Sequence, residues 1–329
     1  MFAKRDLLFI TSGFLFFVCL VSPPFPALRN NSTSQIFIDS SSNYLQRGNF
    51  YFNQGKYNLA IADYNEAIQI DPKYVDAYLN LAYVYATQKK HELAIANYNR
   101  AVTSDPNNIN AYNNRGNYYL ENQKYNLAIS DFERIIEIDP NNTDANYNRG
   151  VSYYYQEKYD LAMADYNKVL QINPYYADAN FNRASLYLDR GKYDLAIADY
   201  NKVIEVKEYD SDSYSGRGTA YHGQGKYDLA MADYNKAIEL NSRDFYAYNN
   251  RGSIYAEQEQ YNLAIADYNK ALQINSDAIT YLNRGDVYVE QKKYDLAIAD
   301  YNRAKSLFKA QGEMIEVEEI DKTLKLLTK

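Results

Sequence analysis

Two histidines, His91 and His222, and one cysteine, Cys19, are all the imidazole and thiol chemistry that 329 residues contain. The imidazoles stand far apart in sequence, and Cys19 lies inside an apolar run near the N-terminus. That leaves too few soft ligands for a zinc, haem or iron–sulfur site, so neither a metal nor a cofactor is expected. Aspartate, serine and tyrosine are plentiful, yet no Ser–His–Asp set, H-E-x-x-H, G-x-S-x-G or G-x-x-x-x-G-K occurs. Catalysis is not expected. With 35 Lys+Arg against 42 Asp+Glu, the formal charge of -7 offers a phosphate backbone no counter-charge, which excludes nucleic acid as a partner class.

The chemistry that remains is pairing. Arg47, Arg115, Arg149, Arg183, Arg217, Arg251 and Arg284 each precede an aspartate by sixteen residues: Asp63, Asp131, Asp165, Asp199, Asp233, Asp267 and Asp300. One further copy of the same segment carries Leu81 and Asn97 in those two places, so the charges are lost together. Joint loss means that the two side chains face each other, because pairing removes the cost of a half-buried charge. A row of arginines reading carboxylates on a partner would not predict loss of the aspartate.

The elements that carry these pairs follow from self-similarity. Leu-Ala recurs at 59, 93, 127, 161, 195, 229, 263 and 296, a spacing of 34 residues that shortens once to 33. Tyr44, Gly48 and Tyr51 form one stripe of helical period; Tyr57, Ala60, Ile61, Tyr64, Ala67 and Ile68 form a second. Each repeat is therefore two helices, with turn formers such as Gln54-Gly55-Lys56 between them. Asp71-Pro72, Asp105-Pro106, Asp139-Pro140 and Asn173-Pro174 break the chain between repeats, since proline forces the residue before it out of the helical region. Gly48, Ala82, Gly116, Gly150, Ala184, Gly218, Gly252 and Gly285 sit mid-helix, where glycine costs ~1 kcal/mol unless close packing needs it. The alanine of the second helix, Ala60 and its equivalents, is the expected neighbour. Twenty-eight of the 38 tyrosines fall in columns headed by Tyr44, Tyr51, Tyr57 and Tyr64, which makes them core rather than a recognition code. His91 replaces one of them and takes the same structural reading.

The first forty residues belong to another class. Lys4 and Arg5 precede an apolar run at 7–22 that ends at Pro23, Pro24 and Pro26, the layout of a signal peptide or signal-anchor over 1–22 with a linker at 23–40. The run is shorter than the ~20 residues a spanning helix needs, and no A-x-A cleavage pattern follows it. A positive flank stays in the cytoplasm. The repeats are thus expected exported, periplasmic or extracellular, or membrane-anchored outside the cytoplasm, with membrane contact only through this segment if it is uncleaved.

Tyr112, Gly116, Tyr119, Ala128, Phe132 and Pro140 lie in the order of the tetratricopeptide repeat, with Ile135 in place of a second alanine, and residues 41–311 resemble that family in eight tandem copies. The resemblance implies an all-α, right-handed superhelical solenoid of helix-turn-helix repeats with a concave groove for partner segments. A capping helix over 312–329 fits, with Val317, Ile320, Leu324 and Leu327 on one face. In some members an asparagine two places before the mid-helix small residue lines the groove as a ladder for a peptide backbone. Here that column reads Gln46, Asn80, Asn114, Asn148, Asn182, Gly216, Asn250 and Asn283. A helix-local bond for the same amides is the alternative.

Three neighbouring columns, represented by Asp76, Asn49 and Glu121, hold nine carboxylates and no Lys or Arg, among them Asp144, Asp178 and Asp189. The groove is expected to be negative. Tyr83, Tyr147, Tyr155 and Phe181 add aromatic anchors on the same side. The function expected is a non-catalytic scaffold that binds an extended neutral or basic polypeptide segment. The alternative is a structural subunit of a membrane-associated assembly that packs through its convex face or ends. Glu208, Ser242 and Ser276 replace the interrepeat proline in the later repeats, and proline restricts the unfolded chain. Amide hydrogen exchange should therefore be faster at 206–210, 240–244 and 274–277 than at 70–74 and 138–142, and uniform protection would refute this.

Overall fold

The computed structural model describes residues 40–327, and the segment expected to direct export lies outside them. Seventeen helices and no strand occur among the described residues. They fall into two compact units that divide between Asn173 and Pro174. The first unit holds α1 (Ser41–Asn53), α2 (Tyr57–Ile70), α3 (Val75–Thr87), α4 (His91–Ser104), α5 (Ile109–Glu121), α6 (Tyr125–Ile138), α7 (Thr143–Tyr155) and α8 (Tyr159–Ile172). The second holds α9 (Ala177–Asp189), α10 (Tyr193–Val206), α11 (Ser211–Gly223), α12 (Tyr227–Leu240), α13 (Phe245–Glu257), α14 (Tyr261–Ile274), α15 (Ala278–Glu290), α16 (Tyr294–Gln311) and α17 (Met314–Leu327). No helix among the described residues is long and apolar enough to cross a membrane.

Local chemistry fixes the helix ends. Each turn inside a hairpin passes through one left-handed residue: glycine at Gly55, Gly191 and Gly225, but Lys89, Gln123, Glu157, Glu259 and Lys292 elsewhere, at φ between 56° and 60°. Between repeats, Asp71, Asp105 and Asp139 accept from the backbone N–H two residues on, at 3.0 to 3.1 Å. Asn241 keeps that turn without a proline, accepting from Arg243 at 3.0 Å. Asn108, Asn142, Asp210, Asp244 and Asp277 then cap the following helix through a side-chain oxygen.

In each unit the core is built on the same aromatic column. Tyr64, Phe132, Tyr166, Tyr200 and Tyr234 are 0% exposed, and Tyr98, Tyr268 and Tyr301 are at 2 to 3%. These rings, not the expected alanines, are what the mid-helix glycines accommodate. A Cβ added at Gly48 would lie 2.5 Å from the Tyr64 ring, and one at Gly150 or Gly252 would lie 2.9 Å from Tyr166 or Tyr268. The column headed by Tyr57 is only the edge of the core, with Tyr57, Tyr193 and Tyr261 packed against it. Its members are half-buried or exposed, and His91 shares that exposure. In the second unit, α17 closes the last hairpin by burying Val317 and Ile320 beside Phe308 and Ala304.

All seven Arg–Asp pairs form. In each, Nε and Nη2 donate to the two carboxylate oxygens at 2.6 to 2.9 Å. Burial pushes the Asp131, Asp165 and Asp233 carboxyls up, against the pull of their arginines. Arg115, Arg217, Arg251 and Arg284 also lie over two tyrosine rings each, 5.4 to 6.0 Å from the centroids. In the repeat without the pair, Leu81 packs beside Tyr64 and Val84, and the Asn97 amide donates to Leu93 O on its own helix. Arg115→Leu should lose about 3–5 kcal/mol of stability by urea titration, because it strands a buried carboxylate. Combining it with Asp131→Asn should lose less than the single change; equal or additive losses would sink the pairing argument.

Candidate functional site

The asparagine column does not face solvent as a ladder. Asn80, Asn148, Asn182 and Asn250 are all below 5% exposed. Asn80 Nδ2 donates to Asn49 Oδ1 at 2.9 Å, Asn148 Nδ2 to Asn117 Oδ1 at 2.9 Å, and Asn250 Nδ2 to Thr219 Oγ1 at 3.1 Å. Each bond joins the first helix of one repeat to the first helix of the repeat before. The acceptor follows the mid-helix glycine, and the buried tyrosine also reaches it: Tyr64 donates to Asn49 Oδ1 at 2.8 Å and Tyr234 to Thr219 Oγ1 at 3.3 Å. The amides of Asn80, Asn148 and Asn250 are staples between repeats, and helix-local bonding does not describe them either. The missed signal was a correlation between columns, since Asn80, Asn148 and Asn250 each have a polar residue 31 positions earlier.

Asn114 is the one of these that stays partly exposed beside a cleft, whereas Asn182, with Val151 31 positions earlier, is buried. The residue 31 positions before Asn114 is Tyr83, which offers no such acceptor, and the Asn114 amide donates to Asn110 O on its own helix at 2.8 Å. Here α3, α4 and α5 surround a cleft of about 380 Å³. Tyr83 and Thr87 come from the end of α3, His91 and Tyr98 from α4, and Asn114, Tyr118 and Glu121 from α5. Tyr98 and Tyr118, 3% and 6% exposed, make the floor, with ring centroids 5.4 Å apart. The Tyr118 hydroxyl meets His91 Nδ1 at 2.6 Å. Partial burial pushes the Glu121 carboxyl up, and Glu121 in turn helps to push the Tyr98 and Tyr118 hydroxyls up.

The cleft thus unites Tyr83, Asn114 and Glu121 of the expected site. The others lie apart. Asn283 is half-buried on α15. Tyr147 is 2% exposed, packed 6.0 Å from Tyr166, so it cannot anchor a ligand. Tyr155 stacks on Tyr125 at 5.3 Å, and Phe181 meets Tyr200 edge-on at 5.6 Å. Asp144 is exposed near the start of α7, and burial pushes the Asp189 carboxyl up to about 6. Asp178 is already engaged by Lys207 at 2.6 Å. Sequence reasoning passed over His91, whose exposure and bond to Tyr118 place it on the cleft wall.

Models of the TPR repeat match residues 48–89, 84–123, 184–225 and 218–259. Models of the tetratricopeptide repeat match 109–142, 143–176, 165–198, 245–277 and 278–311, so that 48–311 is tiled without a gap. The chain is similar to a tetratricopeptide repeat protein from Parabacteroides merdae, at 24% identity and TM-score 0.54, covering 75% of this chain and 98% of that one. It is similar to pilF of Pseudomonas aeruginosa, at 22% identity and TM-score 0.56, covering 66% and 97%. Similarity to the Cut9–Hcn1 hetero-tetramer of the APC/C runs at 19% identity and TM-score 0.60, covering 87% of this chain and 55% of that one. Identities this low show the fold alone. No curated protein matches the chain.

Because the buried asparagines are staples, Asn148→Ala should cost about 1–3 kcal/mol by leaving the Asn117 carbonyl unsatisfied. Asn114→Ala, which removes only a helix-local bond, should stay within about 0.5 kcal/mol of wild type in urea titrations. Equal losses would mean that the inter-repeat bonds carry nothing.

Proposed function

Since the chain belongs to the tetratricopeptide repeat family and is a protein-interaction scaffold, we propose that it is non-catalytic and holds an extended, neutral or basic segment of another polypeptide on the face of its first helices. The observation that carries this is the cleft at α3, α4 and α5, where Tyr83, Asn114 and Glu121 converge beside an aromatic floor. An anchoring side chain enters there. Asn114 is the column's amide at that cleft, partly exposed and positioned to meet the segment's backbone. The charge pattern of Lys4, Arg5 and the apolar run at 7–22 supports a place outside the cytoplasm, either secreted or held by that segment at the membrane.

One observation favours the structural-subunit alternative. A leucine at the same place in every second helix, from Leu59 to Leu296, is 46 to 49% exposed. A surface with one half-open leucine per repeat suits packing against another chain and owes nothing to the cleft.

Selection of random linear peptides displayed on phage separates the two. Thr87 is exposed on the cleft rim, so Thr87→Trp fills the cleft from outside without entering the core. Peptides selected on the wild-type chain should lose at least about tenfold in affinity for Thr87→Trp, as a desolvated anchor does when its pocket is closed. They should bind Leu93→Glu unchanged. The converse pattern, loss with Leu93→Glu alone, would replace the groove reading by the packing one.

A further inference from the structure

The protein contains its own template for holding a cation. Arg115 lies 5.6 and 5.9 Å from the ring centroids of Tyr112 and Tyr119 while Asp131 takes its Nε and Nη2 at 2.9 and 2.6 Å. The same arrangement of guanidinium, two phenol rings and carboxylate recurs at Arg217, Arg251 and Arg284. The cleft gathers the same groups without the guanidinium. Tyr98 and Tyr118 form its floor, Tyr83 a wall and Glu121 the rim, and no arginine or lysine lines it.

Glu121 also differs from several carboxylates in the equivalent columns, though Asp76 and Asp189 share its lack of a hydrogen bond or ion pair among the described residues. Asp178 is spent on Lys207 at 2.6 Å, Asp286 accepts from Tyr301 at 2.6 Å, and Glu257 is held by His222 at 3.3 Å, which lowers its carboxyl. Glu121 has neither a hydrogen bond nor an ion pair among the described residues. It keeps a partly desolvated negative charge beside aromatic faces, and a cation placed against it gains more there than in bulk water.

We propose that the cleft takes a single cationic side chain, an arginine in preference to a lysine, from the polypeptide segment bound on this face. The proposal rests on the groove reading and specifies what its anchor recognises. The planar guanidinium stacks on the phenol rings and presents paired N–H donors to Glu121, which the compact ammonium of lysine cannot do in the same plane. The Asn114 amide beside it is positioned to receive the segment's backbone.

The test uses a blocked glycine–serine peptide with one central arginine and the same peptide with citrulline, its neutral isostere, each titrated calorimetrically into the full chain. The arginine peptide should bind about tenfold tighter than the citrulline peptide at low salt, with the gap narrowing as salt rises. Glu121→Gln, an exposed isosteric change, should bring the two affinities together. Asp144→Asn, outside the cleft, should leave the ratio intact. Equal binding of both peptides to wild type, lost in Thr87→Trp, would overturn the cation preference while upholding the groove reading. Failure of both peptides to bind would overturn the cleft as a side-chain pocket, and the phage selection would then decide the groove reading separately. A ratio unchanged by Glu121→Gln would remove Glu121 from recognition and overturn the proposal as stated.

Discussion

The bidentate Arg–Asp pair, flanked by two tyrosines in four of its copies, is the interaction on which seven of the eight hairpins depend. It joins the two helices of one repeat, and a third donor of the same guanidinium reaches back to the repeat before: Arg115 Nη1 to Asn99 at 2.8 Å, Arg217 Nη1 to Asn201 at 2.6 Å and Arg251 Nη1 to Asn235 at 2.6 Å. One planar cation therefore sets both the hairpin angle and the repeat spacing. The geometry offsets a real cost. The aspartates are nearly covered, and burial alone pushes the carboxyls of Asp131, Asp165 and Asp233 upward. Only an always-charged, fork-shaped partner holds such a group ionised with both oxygens satisfied. The tyrosines over the guanidinium complete its desolvated shell, which accounts for two of the four tyrosine columns.

How much of this was legible depended on whether a partner lay inside the repeat or outside it. The helical hairpins and the Arg–Asp pairs could be read because both partners recur in the same copy, and the joint change to Leu81 and Asn97 served as an internal control. The asparagine column was misread because its partner lies in the preceding repeat. Asn148 looks like a free amide until it is placed opposite Asn117, and Asn250 until it is placed opposite Thr219. The glycines were misassigned for a related reason. A small residue announces that something approaches closely, but only the folded chain shows it to be the ring of Tyr64, Phe132 or Tyr166. Tyr57 and Tyr64 share a helix and a stripe, yet one is half-buried at the edge of the core and the other is wholly buried, a distinction that a helical period alone is too coarse to make.

A repeat array also changes what a departure from pattern means. Its stability is close to a sum over repeats and their interfaces, so one repeat can give up a staple and the chain still folds. Departures are then tolerated one by one, and most would be scattered. In the first unit three of them fall in one repeat. The second repeat has lost its Arg–Asp pair to Leu81 and Asn97, has Tyr83 where its neighbours place a small or polar side chain at Asn49 and Asn117, and has His91 where the other repeats keep tyrosine.

Two of these departures act on the same space. Tyr83 stands where Asn49 and Asn117 offer an amide oxygen, and beside it the Asn114 amide turns to Asn110 O on its own helix at the edge of the cleft. His91, with an imidazole in place of a larger phenol, leaves the cleft open while still giving Tyr118 a polar contact. Glu121 then stands over an aromatic floor with no hydrogen bond or ion pair among the described residues, whereas Asp131, only ten residues on, is paired at 2.6 Å. The same helix therefore carries both outcomes of one physical rule. Arg115 satisfies a buried carboxylate from within, and six residues later the protein leaves a carboxylate to be satisfied from outside.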